Sequence, residues 1–151
     1  MLEELTAELY NDTIRDHAEC SDYRGCIPDA PHRAEAFNRT CGDQVCLDVV
    51  VDEDGNIENL KFSGKGCLIS QASCSMMAEA LEGLSVEQAD SLLADFRSLI
   101  RGKFNGDREA LGDLAVMEAV SRSPVRVKCA ALSWTALEDV LKDYQDSLAA
   151  K

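Results

Sequence analysis

Positive charge is scarce in this sequence: 15 lysines and arginines stand against 28 aspartates and glutamates, a formal net charge of −13. A phosphate-binding surface needs clustered Lys and Arg, so no nucleic-acid partner is expected. A basic protein surface suits such a field better. Long apolar runs are missing as well; none approaches the roughly 18 residues of a membrane span, so no membrane partner is expected. Met1-Leu2-Glu3-Glu4-Leu5 is acidic where a secretory signal would be basic and then apolar. The expectation is a cytoplasmic protein. There is no C-x-x-C pair, no H-E-x-x-H motif, no internal repeat and no low-complexity segment. The ready-made signatures of zinc ribbons and zinc hydrolases are therefore absent.

What is present is an apolar fraction of 46% and seven cysteines in 151 residues. That length and composition predict one globular domain over residues 1–151, able to bury a core without covalent staples. Disulfide scaffolding is out of place in a reducing compartment, and seven is odd. The cysteines are left as metal ligands, reactive thiols or small buried hydrophobes.

Leu2, Leu5, Leu9 and Ile14 predict a helix from Leu2 to about His17. Ala18 to His32 is irregular, broken by Gly25, Pro28 and Pro31; Cys20 and Cys26 lie in it and read as incidental. Arg33 to Arg39 alternates weakly, as a short strand would. A clear strand follows from Gln44 to Asp52, then the Asp54-Gly55 hairpin signal, then a return strand from Ile57 to Ser63. The expected sheet is three-stranded and antiparallel with one buried face. Helices are expected at Leu68 to Leu81, Ser85 to Arg101, Leu111 to Val120, and from near Cys129 to Leu148. The fold class is α+β: a small three-stranded antiparallel sheet with helices packed on one face.

The centre of interest is Thr40-Cys41-Gly42-Asp43, entering the strand that carries Val45, Leu47, Val49 and Val51. Strand parity puts Asp43 on the apolar face, where a carboxylate is costly unless paired or bound to a cation. If the chain stays extended through Gly42, the Cys41 thiol joins that face. Gly64-Lys65-Gly66-Cys67 leads into a helix, placing Cys67 where the free N–H groups and the helix dipole favour a thiolate. Cys129 is read as another cysteine at a helix start. Cys46 has the opposite parity and Cys74 is mid-helix, so both read as bystanders. Cys41, Asp43, Cys67 and Cys129 make an acceptable tetrahedral zinc set. On spacing alone, buried thiols explain the cysteines equally well.

Several blocks carry more: Asp16-His17; Asn38 with Thr40-Cys41-Gly42-Asp43; Phe62-Ser63-Gly64-Lys65-Gly66-Cys67-Leu68-Ile69-Ser70 with Ala72-Ser73; and Pro124-Val125-Arg126-Val127-Lys128-Cys129-Ala130-Ala131-Leu132-Ser133-Trp134. In kind and order they resemble the U-type proteins of iron–sulfur cluster biogenesis, nearer the SufU branch than the IscU branch. Lys128, where IscU-like proteins carry histidine, and the long helical segment from Ser85 to Ser123 point to that branch. The resemblance implies zinc held by Cys41, Asp43, Cys67 and Cys129. It implies a PLP-dependent, SufS-like cysteine desulfurase as partner, Cys41 as the sulfur acceptor, and downstream iron–sulfur assembly proteins as recipients. A histidine of the partner would replace Cys41 at the zinc. Arg126 matches a family arginine, and Arg126 and Lys128 are expected to offset the anionic site or steer a charged sulfur species.

Two departures touch loops near the expected partner surface. Ala18 to Cys26 reads AECSDYRGC in place of an Asn-Pro-rich segment, and Arg39 replaces the proline that commonly precedes Thr-Cys-Gly-Asp. The alternatives are a scaffold on which a transient iron–sulfur cluster assembles, and a structural zinc domain that only binds a partner. A protonated lysine cannot ligate iron, so Lys128 weighs against the scaffold.

Overall fold

The computed structural model describes residues 12–19 and 21–150. Cys20 and the leucines at 2, 5 and 9 lie outside the described residues. The elements in order are helix α1 (Asp12–Glu19), strands β1 (His32–Asn38), β2 (Asp43–Val51) and β3 (Ile57–Lys65), and helices α2 (Leu68–Leu81) and α3 (Val86–Ile100). A 3-10 segment (Glu109–Arg122) and the long helix α4 (Pro124–Ala149) complete them.

The sheet runs β1-β2-β3, antiparallel throughout. Period-two alternation sends Val45, Leu47 and Val49 to one face, where Leu47 lies opposite Ala34 and Phe62 and Val49 opposite Leu60. Helices α2 and α4 cover that face, and each large apolar side chain they help bury contributes about 1.5–3 kcal/mol. The expected class and sheet are therefore present.

What fixes α2 against α4 is a buried polar link. Trp134 Nε1 donates to Ser73 Oγ at 3.1 Å, and Ser73 Oγ donates to the carbonyl of Ala130 at 2.6 Å. Trp134 also stacks on Phe96 of α3, with ring centroids 4.2 Å apart. Ala130 adjoins Cys129, and Ser73 lies under two turns from Cys67, so this link sets the spacing of those two thiols.

Two expectations are corrected. The last helix starts at Pro124, not near Cys129: Ser123 caps it through the Arg126 N–H, and proline at the first position suits a helix start. Cys129 is thus in the second turn. The predicted helix from Leu111 to Val120 is a 3-10 run broken at Gly112, whose φ of 59° is outside helical space.

The other face of the sheet holds a feature that parity alone does not announce. Asp48 is buried there; Arg33 Nε and Nη2 donate to it at 2.5 and 3.0 Å, and the Ile27 N–H at 2.9 Å. Burial pushes the Asp48 carboxyl up, but the Arg33 and Ile27 hydrogen bonds outweigh it and hold its pKa below the usual value. A depressed folded pKa contributes stability above the unfolded pKa of about 3.9 and loses it as pH falls through the folded value. Asp48→Asn is expected to lower stability by about 2 kcal/mol at pH 7, since Arg33 is half exposed, and by less at pH 3. Denaturant titrations at the two pH values check this; an equal loss at both would contradict it.

Candidate metal centre

Asn38 and Asp43 are paired across a hairpin whose turn is Arg39, Thr40, Cys41 and Gly42. Gly42 adopts φ +71°, a left-handed conformation that glycine takes without strain. The chain is therefore not extended through Gly42, contrary to the simple parity argument. Cys41 reaches the site from an exposed turn. Asp43 begins β2 on the buried face with 3% exposure.

Cys67 is the N-cap of α2: the Ser70 N–H donates to its Sγ at 3.5 Å. Its own N–H donates to Asp43 Oδ1 at 3.0 Å, and its Sγ lies 3.9 Å from Asp43 Oδ2. Cys129 is buried on α4 with its Sγ 3.7 Å from that of Cys41. The donor atoms of Cys41, Asp43 and Cys129 all lie within 4.8 Å of one another, and Cys67 joins them beside Asp43 and Cys129. Three of the four predicted ligands, brought in by a turn, a strand end and a helix second turn, therefore form one compact group, and Cys67, at the helix cap, stands beside Asp43 and Cys129 without closing on Cys41 to the same degree.

The donor set suits zinc. Two sulfurs each about 2.3 Å from one tetrahedral ion stand roughly 3.8 Å apart, close to the separation of Cys129 and Cys41. A buried carboxylate beside three thiols is unfavourable unless a cation offsets it. Burial, and then the neighbouring Cys67, push the Cys129 thiol well above its ordinary pKa, so a cation would be required to hold it as thiolate.

Gly66 makes the approach possible. A Cβ there would stand 2.8 Å from both Asp43 Oδ1 and Ser70 Oγ, so a side chain at this position forces both contacts to open. Gly66→Ala is expected to weaken zinc binding about 10- to 100-fold through the shifted carboxylate, measured by competition with a chromogenic chelator. Unchanged affinity would show that Asp43 contributes little. Ser70 itself, whose buried Oγ has no partner among the described residues, is signalled only by its third place after the capping Cys67.

Arg126 precedes Cys129 by three residues and shares its helix face, while Lys128 is about 100° round the helix from Cys129 and exposed. Of the two, Arg126 is the better placed toward the thiols. Cys74 is fully buried, and desolvation raises its thiol pKa to about 12, as expected of a core residue. Cys46 lies on the opposite face near Asp48, and Cys26 is exposed with its Sγ 3.9 Å from Ser63 Oγ.

The family model of the NifU-like N terminal domain matches residues 9–150. The chain is 41% identical over 130 residues to the zinc-dependent sulfurtransferase SufU of Bacillus subtilis, covering 86% of this chain and 87% of that protein. It is 39% identical over 134 residues to the iron–sulfur cluster assembly scaffold protein IscU of Thermotoga maritima, covering 89% and 93%. A crystal structure from Fervidobacterium islandicum, described as an assembly scaffold protein for the SUF system, superposes with a TM-score of 0.83 at 32% identity, covering 90% of this chain and 98% of that one.

Proposed function

We propose, from the premise that this chain belongs to the NifU-like N-terminal domain family, that it is a zinc-dependent sulfur acceptor in iron–sulfur cluster assembly. One observation carries the reading: two thiols and a buried carboxylate converge with a third thiol beside the carboxylate, and one of the converging thiols sits on an exposed glycine-containing turn. Cys41, Asp43, Cys67 and Cys129 would hold the zinc, which when bound keeps thiols deprotonated at neutral pH.

The reaction asked of the chain is thiolate attack on a persulfide. The Cys41 sulfur attacks the outer sulfur of a persulfide on a cysteine desulfurase. A new S–S bond forms at Cys41, the old one breaks, and the partner's cysteine leaves as its thiolate. Cys41 can move off the other donors because its turn carries no helix or strand with it. Asp43, Cys67 and Cys129 stay in place, held by β2, the α2 cap and the Ser73–Ala130 link. In this reading Arg126, three residues before Cys129 on the same helix face, and the exposed Lys128 offset the anionic site or steer a charged sulfur species.

A second reading is a scaffold for cluster assembly, favoured by the similarity to the Thermotoga maritima IscU. Purified protein separates the two. The sulfur-acceptor reading expects a colourless protein holding one zinc per chain that raises the turnover of a cysteine desulfurase. A chain that takes up iron and sulfide into a coloured cluster and leaves turnover unchanged would favour the scaffold.

A further inference from the structure

A second group of donor atoms lies away from the thiols, where α1, α2 and the 3-10 segment meet. His17 of α1 has a side chain only 10% exposed, with Nε2 2.9 Å from Asp113 Oδ2 and 3.9 Å from Glu79 Oε2. Its other nitrogen, Nδ1, is 2.9 Å from Oγ of the buried Ser75 on α2. In the tautomer that donates Nδ1–H to that hydroxyl, the Nε2 lone pair faces two carboxylates and can take a cation between them. In the other, Nε2–H donates to Asp113 Oδ2 and the Ser75 hydroxyl donates to Nδ1. The three donor atoms lie within 4.8 Å of one another.

The surroundings favour a cation from outside. The group opens onto a cavity of about 360 Å³ that Glu109 also lines, and among the described residues no lysine or arginine lines it. Asp113 and Glu79 are more than half exposed at their side chains, so water and ions reach the group without any movement of the fold. The turn at Gly112 carries Asp113 to the histidine. The 2.9 Å from Nε2 to Asp113 Oδ2 suits a metal, since two donors about 2.1 Å from one ion stand roughly 3.0 Å apart at a right angle and roughly 3.4 Å at a tetrahedral one. Glu79 Oε2, at 3.9 Å, would have to close in, as its exposed side chain permits. One imidazole with two carboxylates, and no sulfur, selects a harder ion than a thiolate set does. The group is separate from the thiol site, since Ser75 and Glu79 are eight and twelve residues along α2 from Cys67, some 12 to 18 Å at the helical rise.

We propose that His17, Glu79 and Asp113 bind a divalent first-row cation of the Mn²⁺ or Fe²⁺ class at the mouth of this cavity, with Ser75 fixing the imidazole. Such an ion would tie α1 to α2 and to the 3-10 segment. The test is titration of the zinc-loaded chain with Mn²⁺ alone, reading the loss of the free-ion signal by electron paramagnetic resonance. One equivalent is expected to bind. Glu79→Gln and Asp113→Asn, both at exposed side chains, are each expected to weaken it at least tenfold with melting unchanged. Glu58→Gln, at an exposed carboxylate on β3, should leave it intact. No bound equivalent in the parent chain, or binding equal in the parent and both carboxylate variants, would overturn the proposal and leave His17–Asp113 as a structural ion pair.

Discussion

Replacing Cys41 with serine is expected to abolish sulfur acceptance while the fold stays in place and part of the zinc affinity survives. The side chain is exposed on a turn and supports no core packing, so stability of the zinc-free chain should change by less than about 0.5 kcal/mol. A serine hydroxyl at neutral pH is neither a sulfur nucleophile nor a good zinc ligand, whereas Asp43, Cys67 and Cys129 remain. Desulfurase turnover is expected to fall back to the rate of the desulfurase alone, because the acceptor nucleophile is gone. A Cys41→Ser chain that still accepts sulfur would move the chemistry to another thiol.

The second large effect is on stability. Zinc bound to the folded chain alone stabilises it by about 4 kcal/mol when free metal exceeds the dissociation constant a thousandfold. For a chain of this size that corresponds to roughly 8–16 °C in melting temperature, lost on chelation. Cys67→Ser separates two roles of one residue. Serine is a preferred N-cap, so its hydroxyl can accept the Ser70 N–H that Cys67 Sγ now accepts. The zinc-free variant should melt at or above the zinc-free parent, yet gain little from added zinc. Asp43→Ala should also lose the zinc gain, and it removes the buried acceptor of the Cys67 N–H as well. Thermal melts with and without chelator read both. Full zinc stabilisation retained in either variant would remove that residue from the ligand set.

Much of this was legible in the sequence where signals are local. The alternation of Val45, Leu47 and Val49, the Asp54-Gly55 turn and the span Leu68–Leu81 depend on neighbours in the chain, and the structure has them. Ser85 as a cap is equally local, and it forms the full capping box with Gln88. Cys129 shows where local signals mislead. Val125 and Val127 resemble an extended approach to a helix, yet Ser123 and Pro124 start the helix six residues before the cysteine. Cys41, Asp43 and Cys67 are legible as candidate ligands from their places at element ends, and Cys129 from the family resemblance, but how Cys41 gets to the site depends on the positive φ of Gly42. The Arg33–Asp48 pair and the His17 group were not legible. Their partners are 15, 62 and 96 residues apart, and only the packed fold brings them together.

The central claim is that Cys41 carries the transferred sulfur while Cys67 and Cys129 anchor the metal. The direct measurement is to react the zinc-loaded chain with a cysteine desulfurase and cysteine, trap persulfides by alkylation, and locate the added sulfur by peptide mass. The account predicts one additional sulfur, on the peptide containing Cys41. Extra sulfur found chiefly on Cys67 or Cys129 would contradict it.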